Sequence, residues 1–205
     1  MIIVGVGAGP GMLTEEAMKA ISEARTIYGS ERAIEIACHH ISPDCSVHII
    51  EDYRKLQQLP EGAVVLSTGD PMLSGLGYLE GQVIPGISSM QVACARLKIS
   101  QLRMVPVTLH GRAIAHDSLV RIASEIRAGR CVFLLTDNST NLAEICRYLE
   151  AEGLSKEVAV LTELGYPEER IELARTNIPP AAPGLSCVVI GDIFKEIYKA
   201  SHQES

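Results

Sequence analysis

The chain has 205 residues, 47% of them hydrophobic and 21% charged, which is typical of a globular protein with one large or two small domains. A net charge of −7, two phenylalanines and no tryptophan argue against nucleic acid as a partner, since they give neither a basic surface nor a stacking platform. No apolar run approaches the roughly 20 residues of a membrane helix. The start lacks the basic segment of a signal peptide, so we expect a cytoplasmic protein with no membrane partner.

The first predicted strand, residues 1–7, leads directly into a glycine-rich loop. The strand is almost continuously apolar, like strands buried in parallel sheets. The loop Gly5-Val6-Gly7-Ala8-Gly9-Pro10-Gly11 resembles a dinucleotide-binding loop, but positions 10 and 12 hold proline and methionine where the third glycine of G-x-G-x-x-G would stand. The alternative is a tight turn before the helix that Thr14 begins as its N-cap.

The next segment predicts strands at 26–28 and 47–50, a helix at 31–38 capped by Ser30, and a short helix at 52–59. A group of possible zinc ligands lies there, but its spacing matches no standard site, so we predict a polar loop and no metal. Its members are Cys38, His39, His40, Cys45 and His48. Three other cysteines lie in apolar segments and predict reduced core thiols: Cys94, Cys131 and Cys187.

The most informative stretch runs from Ser67 to Gly75, directly after the predicted strand 63–66. Gly69 lets a ligand approach the backbone, and Asp70 places a carboxylate at the carboxyl end of the strand, where open α/β sheets bind ligands. Leucines at 73, 76 and 79 have helical spacing and predict a helix. The alternative is a strand–turn–helix corner with Asp70 as a cap.

A second turn, Pro85-Gly86-Ile87-Ser88-Ser89, follows the short strand 82–84 and precedes another helix. Ser88 and Ser89 either cap that helix or also contact a ligand. Strand 104–109 contains Pro106, which indicates an edge strand or a bend. We place the domain boundary here, with an N-terminal α/β domain over 1–108 with a parallel sheet and a C-terminal α/β domain over 109–205 with a mixed sheet.

His110 and Arg112 follow this boundary. A guanidinium group binds carboxylates bidentately, and an imidazole can accept a proton near neutral pH. The alternative is a polar hinge turn. Beyond it, helices at 117–128, 141–152 and from 193 alternate with strands at 131–135, 158–161, 171–174 and 185–190, so the fold class is α/β.

Three motifs, in this order, resemble the tetrapyrrole (corrin/porphyrin) methylase family. They are Val4 to Gly11 with Leu13-Thr14, Gly69-Asp70-Pro71, and Pro85 to Ser89. Three further segments resemble the branch that methylates C-5 of cobalt-precorrin-7: Tyr28 to Arg32, Leu109 to Arg112, and Glu163 to Ile171. One departure is the loop between Gly11 and Leu13, which is shorter than the family pattern.

The resemblance implies two α/β domains with a cofactor cleft between them, usually in a homodimer. It implies S-adenosylmethionine as cofactor, with S-adenosylhomocysteine as product, a corrin-precursor macrocycle as substrate, and a separate C-15 methyltransferase/decarboxylase as a further partner. Matched by motif position, the cofactor contacts are Pro10, Thr68, Gly69, Asp70, Leu73, Ser88, Ser89, Leu135 and Gly165. For catalysis we expect Arg112 to hold a substrate carboxylate and His110 to accept a proton.

Three other functions stay open at this point. A nicotinamide-dependent oxidoreductase would use the first glycine loop, although its third glycine is missing. A non-catalytic binding module could act as a scaffold in a corrin enzyme complex. A relative in the same family could methylate another position of a tetrapyrrole.

Overall fold

The computed structural model describes residues 1–73, 75–109, 115–136, 140–182 and 186–194. The chain forms two compact units, Met1–Ser89 and Met90–Ser205. Among the described residues each unit carries a five-stranded sheet accompanied by helices. The α/β class predicted from the sequence is therefore confirmed.

The first sheet is entirely parallel, with the order β3-β2-β4-β1-β5. Its strands are β1 (Ile2–Gly5), β2 (Thr26–Gly29), β3 (Ser46–Ile49), β4 (Val64–Ser67) and β5 (Gln82–Ile84). Strand β1 pairs with β4 on one side and β5 on the other. Because parallel strands end at the same edge, the loops after β1, β4 and β5 emerge next to one another.

The helices of the first unit begin at the residues that the sequence predicts. Helix α1 (Glu15–Ser22) starts after Thr14, whose hydroxyl oxygen accepts a hydrogen bond from the Ala17 amide at 3.1 Å. Helix α2 (Glu31–Ala37) starts after Ser30, which accepts from the Ala33 amide at 3.2 Å. Both side chains satisfy an amide that has no partner within the first helical turn. Two short 3₁₀ helices complete the unit: Cys38–His40 and Tyr53–Gln58.

The helix predicted after Gly69 from its regularly spaced leucines is wrong. The described residues of 71–80 form turns and bends. A Cβ atom on Gly75 would lie 2.7 Å from the Ser67 hydroxyl oxygen, and one on Gly77 would lie 2.8 Å from the Pro71 carbonyl oxygen. The segment thus folds back tightly on itself, and its glycines disfavour a helix.

The leucine spacing nevertheless identified buried residues. Leu76 and Leu79 are 5% and 4% exposed and pack with Ile3, Leu56 and Val65 in one apolar cluster. Burial of these side chains, and not helical hydrogen bonding, fixes the segment on the sheet.

The second sheet is mixed, with the order β6-β7-β10-β8-β9. Its strands are β6 (Met104–Thr108), β7 (Cys131–Leu135), β8 (Glu157–Thr162), β9 (Arg170–Arg175) and β10 (Ser186–Gly191). Strands β6 and β7 are parallel, and the other pairs are antiparallel. The accompanying helices are α3 (Ser89–Leu97), α4 (His116–Arg127) and α5 (Leu142–Ala151), with a 3₁₀ helix at Gln101–Arg103.

Strand β6 corrects the boundary that the sequence predicts after residue 108. It pairs with β7, with Met104 opposite Cys131, and so belongs to the second sheet. The compact units accordingly divide earlier, between Ser89 and Met90. The prediction of an edge strand from Pro106 is confirmed, since β6 is the outermost strand of its sheet.

Cys94, Cys131 and Cys187 are buried free thiols, as the sequence predicts, and Cys146 is a fourth. Burial raises the pKa of Cys187 to about 12 and the pKa of Cys146 to about 11.

Within the part of the chain that the structure describes, no three His, Cys, Asp or Glu side chains group closely enough to hold a metal ion. His48, one of the possible zinc ligands named in the sequence analysis, stacks on Tyr28 with ring centroids 4.9 Å apart.

Two further points concern helices. None of the described helices is long and apolar enough to cross a membrane. The closing helix predicted from Ile193 lies almost entirely outside the described residues.

We expect Leu79→Ala to lower the free energy of unfolding by about 2–5 kcal/mol, because the substitution leaves a cavity under the 75–80 segment. Urea denaturation followed by circular dichroism measures the change. The matched control is Leu102→Ala, since that leucine is 94% exposed and its loss should cost less than about 0.5 kcal/mol. Equal effects of the two substitutions would show that the segment does not pack on the sheet.

Candidate cofactor site

Three loops meet at the carboxyl edge of the first sheet through direct backbone contact. A Cβ atom on Gly5 would lie 2.5 Å from the Gly86 amide nitrogen and 2.8 Å from the Gly69 carbonyl oxygen. A Cβ atom on Gly86 would lie 2.2 Å from that same oxygen. Only glycine fits at Gly5 and Gly86, because any side chain would force the loops after β1, β4 and β5 apart.

Hydrogen bonds join the first two loops. The Gly69 amide donates to the Gly7 carbonyl at 2.8 Å, and the Gly7 amide donates to the Gly69 carbonyl at 3.2 Å. Gly69 has a φ of +74°, a conformation that favours glycine. A Cβ atom there would find only the Ser88 Cα, at 4.0 Å. Gly69 itself is buried, but the space on its Cβ side is not filled by closer atoms of the chain.

Asp70 ties the second loop to the third. Its Oδ1 accepts a hydrogen bond from the Met72 amide at 2.8 Å, and its Oδ2 accepts one from the Gly86 amide at 3.0 Å. The first bond resembles the cap expected from the sequence, but the second spans two loops. Both carboxylate oxygens thus hold backbone in place, so Asp70 acts first as a clamp between loops.

The other first-unit residues predicted from the motifs lie along the same edge. Pro10 is exposed, as is Gly11 beside it, where a Cβ atom would meet nothing within 4 Å. Thr68 is half-buried after β4, Ser88 is buried, and Ser89 is the first residue of α3. Leu73 is half-buried in the turn after Asp70.

In the second unit, Leu135 ends β7 and Gly165 lies in the turn between β8 and β9 with a φ of +87°. Sequence reasoning missed the residue that holds this turn, Glu169. Its Oε2 accepts a hydrogen bond from the Gly165 amide at 2.8 Å, and its Oε1 accepts one from Arg96 Nε at 2.6 Å. Because Arg96 is remote in sequence, no local signal identifies the pair.

The carboxyl group of Glu169 is ionised more readily than an ordinary glutamate. Burial alone would raise its pKa, but the hydrogen bonds from Arg96 and the Gly165 amide outweigh burial and hold the pKa below its usual range. A lowered pKa contributes stability above the unfolded-state pKa of about 4.3, and that contribution is lost as the pH falls through the folded-state value.

The two residues predicted for catalysis, His110 and Arg112, lie outside the described residues, as does the Gly111 between them. Their roles stay predictions.

Comparison with known proteins identifies the family. The sequence model for Tetrapyrrole (Corrin/Porphyrin) Methylases matches residues 2–179. The chain belongs to the tetrapyrrole methylase family. Methylases of this family use S-adenosylmethionine as methyl donor, which makes the chain an S-adenosylmethionine-dependent methyltransferase. The assignment replaces the nicotinamide alternative.

Three relatives support a place in cobalamin biosynthesis. The probable cobalt-precorrin-7 C(5)-methyltransferase of Methanocaldococcus jannaschii is 32% identical over 82% of this chain and 86% of its own length. The cobalt-precorrin-7 C(5)-methyltransferase of Salmonella typhimurium is 27% identical over 94% and 98%. The crystal structure of precorrin-6Y methylase from Archaeoglobus fulgidus is 27% identical, covers 94% of this chain and 97% of that one, and has a TM-score of 0.74.

The loops of the first unit fit this methyl donor better than a dinucleotide. The glycines of the first loop serve packing of the chain on itself, since a Cβ atom on Gly7 would lie 2.6 Å from Met12 Cβ and Gly5 touches Gly86. S-adenosylmethionine has no pyrophosphate, so it does not require the third glycine that the loop lacks. The Cβ side of Gly69 leaves room at the sheet edge where α/β proteins bind ligands.

We expect Asp70→Asn to lower the free energy of unfolding by about 1–3 kcal/mol, because the amide nitrogen of asparagine cannot accept the second backbone hydrogen bond. Urea denaturation tests this, with the exposed Asp44→Asn as a control for the same change of charge. Unchanged stability with lost affinity for S-adenosylmethionine would make Asp70 a cofactor ligand instead of a clamp.

Proposed function

We propose that the chain methylates C-5 of cobalt-precorrin-7, or of its cobalt-free equivalent, in cobalamin biosynthesis. The observation that carries the proposal is the similarity to relatives named for this reaction, which extends over 82% and 94% of the chain. The segment Glu163 to Ile171, which resembles that branch of the family, forms the turn held by Glu169 and the start of β9.

When bound, S-adenosylmethionine supplies a methyl group on a sulfonium, already activated for transfer to a nucleophilic carbon. The protein then has to hold donor and acceptor in line, with the reacting atoms about 3–3.5 Å apart. The glycine contacts and the Asp70 clamp fix the backbone of three loops before any ligand binds. Such pre-organisation avoids the cost of ordering the loops during binding.

The cofactor contacts that we propose combine backbone groups with short side chains. In the first unit, Gly69 leaves room on its Cβ side and Ser88 carries a hydroxyl group, both at the carboxyl edge of the sheet. Leu135, at the end of β7, and Gly165, in the turn after β8, are proposed from their motif positions. The full set is Pro10, Thr68, Gly69, Asp70, Leu73, Ser88, Ser89, Leu135 and Gly165.

The site that binds the macrocycle needs positively charged side chains, because corrin precursors carry several carboxylates. The chain as a whole has a net charge of −7, so these positive groups have to be local. We assign Arg112 to one of these carboxylates, since its guanidinium group binds such groups bidentately. We assign His110 to the proton that leaves the macrocycle, since the pKa of an ordinary histidine lies near neutral pH.

The partners and location proposed for the enzyme follow the family resemblance. The proposed partners are a second copy of the chain, in a homodimer, and a separate enzyme that methylates C-15 and decarboxylates the product. The proposed location is the cytoplasm.

Calorimetry of S-adenosylmethionine binding, with reduced nicotinamide dinucleotide as control, tests the cofactor assignment. We expect a Kd in the micromolar range or tighter, about −8 kcal/mol, for the methyl donor and no binding of the control. Incubation of cobalt-precorrin-7 with ¹³C-methyl donor should then add one methyl group by mass spectrometry. Carbon NMR should place it at C-5, and a label at another carbon would assign the chain to a different step.

We expect Arg112→Gln to raise the KM for the macrocycle about ten- to hundredfold, which corresponds to loss of a charged hydrogen bond of about 1.5–3 kcal/mol. The Kd for S-adenosylmethionine should stay within twofold of the wild-type value. The matched control is Arg121→Gln, which removes an exposed arginine from α4. Equal effects on macrocycle and cofactor would remove the role assigned to Arg112.

A further inference from the structure

One carboxylate connects two elements of the second unit. Glu169 uses its two oxygens separately, one for the Gly165 amide at 2.8 Å and one for Arg96 Nε at 2.6 Å. Gly165 belongs to the turn between β8 and β9, and Arg96 belongs to α3. The position of the turn relative to the helix therefore depends on this side chain.

The turn itself has an unusual backbone. Glu163 has a φ of +50° although it carries a side chain, and Gly165 has a φ of +87°. A residue with a side chain pays a steric cost in this region and stays there only where its surroundings hold it. Three hydrogen bonds close the turn: Tyr166 amide to Glu163 carbonyl, Glu169 amide to Tyr166 carbonyl, and Gly165 amide to the Glu169 carboxylate.

The ion pair adds little to the stability of the fold. The side chain of Arg96 is 45% exposed, and exposed pairs of this kind contribute weakly because water screens them. The side chain of Glu169, in contrast, is 18% exposed and faces two N–H donors. Its geometry is thus well defined by one backbone amide and one arginine, which is the pattern of a residue that positions a loop.

We propose that Glu169 is a positioning residue for methyl transfer, which fixes the Gly165 turn against α3 through Arg96 so that the turn is ready for the methyl donor. The inference rests on the proposed assignment of Gly165 to the cofactor site. Glu169 acts here through the turn and through Arg96, without contact to the reacting atoms.

The chain offers a closely matched control at the other end of β8. Glu157 also accepts one backbone amide, from Ile193 at 3.1 Å, and one arginine, from Arg175 at 3.2 Å. Its side chain is 14% exposed and that of Arg175 is 52% exposed, close to the values for Glu169 and Arg96. The same substitution at the two glutamates therefore removes the same types of hydrogen bond, beside Gly165 in one case and at the far end of β8 in the other.

The experiment compares Glu169→Gln with Glu157→Gln by thermal unfolding and by calorimetry with S-adenosylmethionine. We expect similar losses of Tm, since each glutamine can accept only one of the two donors. We expect the Kd for S-adenosylmethionine to rise about tenfold for Glu169→Gln and to change less than twofold for Glu157→Gln. Equal changes of Kd in the two variants, whether large or absent, would overturn the proposal.

A second pair of variants guards against misfolding. Arg96→Gln removes only the exposed partner of Glu169 and leaves the Gly165 amide with its acceptor. We therefore expect the Kd for S-adenosylmethionine to rise about threefold. The control, Arg175→Gln, should change this Kd less than twofold. An Arg96→Gln variant with wild-type affinity would contradict the role of α3. Wild-type protein that does not bind S-adenosylmethionine would defeat the proposed function and this inference together, whereas wild-type binding with unaffected variants would defeat the inference alone.

Discussion

Contact between backbone atoms at Gly5, Gly69 and Gly86 is the constraint on which the carboxyl edge of the first sheet depends. The three loops approach more closely than any side chain would allow. This contact sets the position of the Gly69 peptide and of the segment that leads into α3. It also brings the Gly86 amide within reach of Asp70, so a steric requirement and a charged hydrogen bond act on the same junction.

Both units use a carboxylate side chain in the same way. Asp70 joins two loops of the first unit, and Glu169 joins a turn and a helix of the second. Each oxygen takes a different donor, and at least one donor is a backbone amide. A carboxylate suits this task because it accepts several hydrogen bonds on a short side chain, and its charge strengthens each of them. Part of the acidic excess of the chain is thereby engaged in internal structure.

Local signals in the sequence were sufficient wherever neighbouring residues decide the structure. The caps at Thr14 and Ser30 and the edge strand at Pro106 depend on chemistry within a few residues, and the structure confirms all three. The motifs were sufficient for the family because their order along the chain carries the information. The roles of individual site residues remain predictions.

Interactions between distant parts of the chain were not predictable in this way. The regular spacing of leucines after Gly69 correctly predicted which side chains are buried, but it wrongly predicted a helix. A segment can bury leucines on a sheet without forming a helix, and Gly75 and Gly77 allow tight turns here. Strand β6 was assigned to the wrong sheet because its partner, β7, lies beyond the next helix. The Arg96–Glu169 pair joins residues with no common motif.

The tip of the first loop shows where this edge of the protein can tolerate change. Pro10 and Gly11 are exposed, and a Cβ atom on Gly11 would meet no atom within 4 Å. Gly7, three residues before Pro10, is instead hydrogen-bonded through its backbone to Gly69. Insertions and deletions are accommodated at exposed tips whose backbone makes few contacts. The loop between Gly11 and Leu13, which the sequence predicts to be shorter than the family pattern, lies beside this tip. A change in the length of that loop leaves the Gly7–Gly69 hydrogen bonds in place.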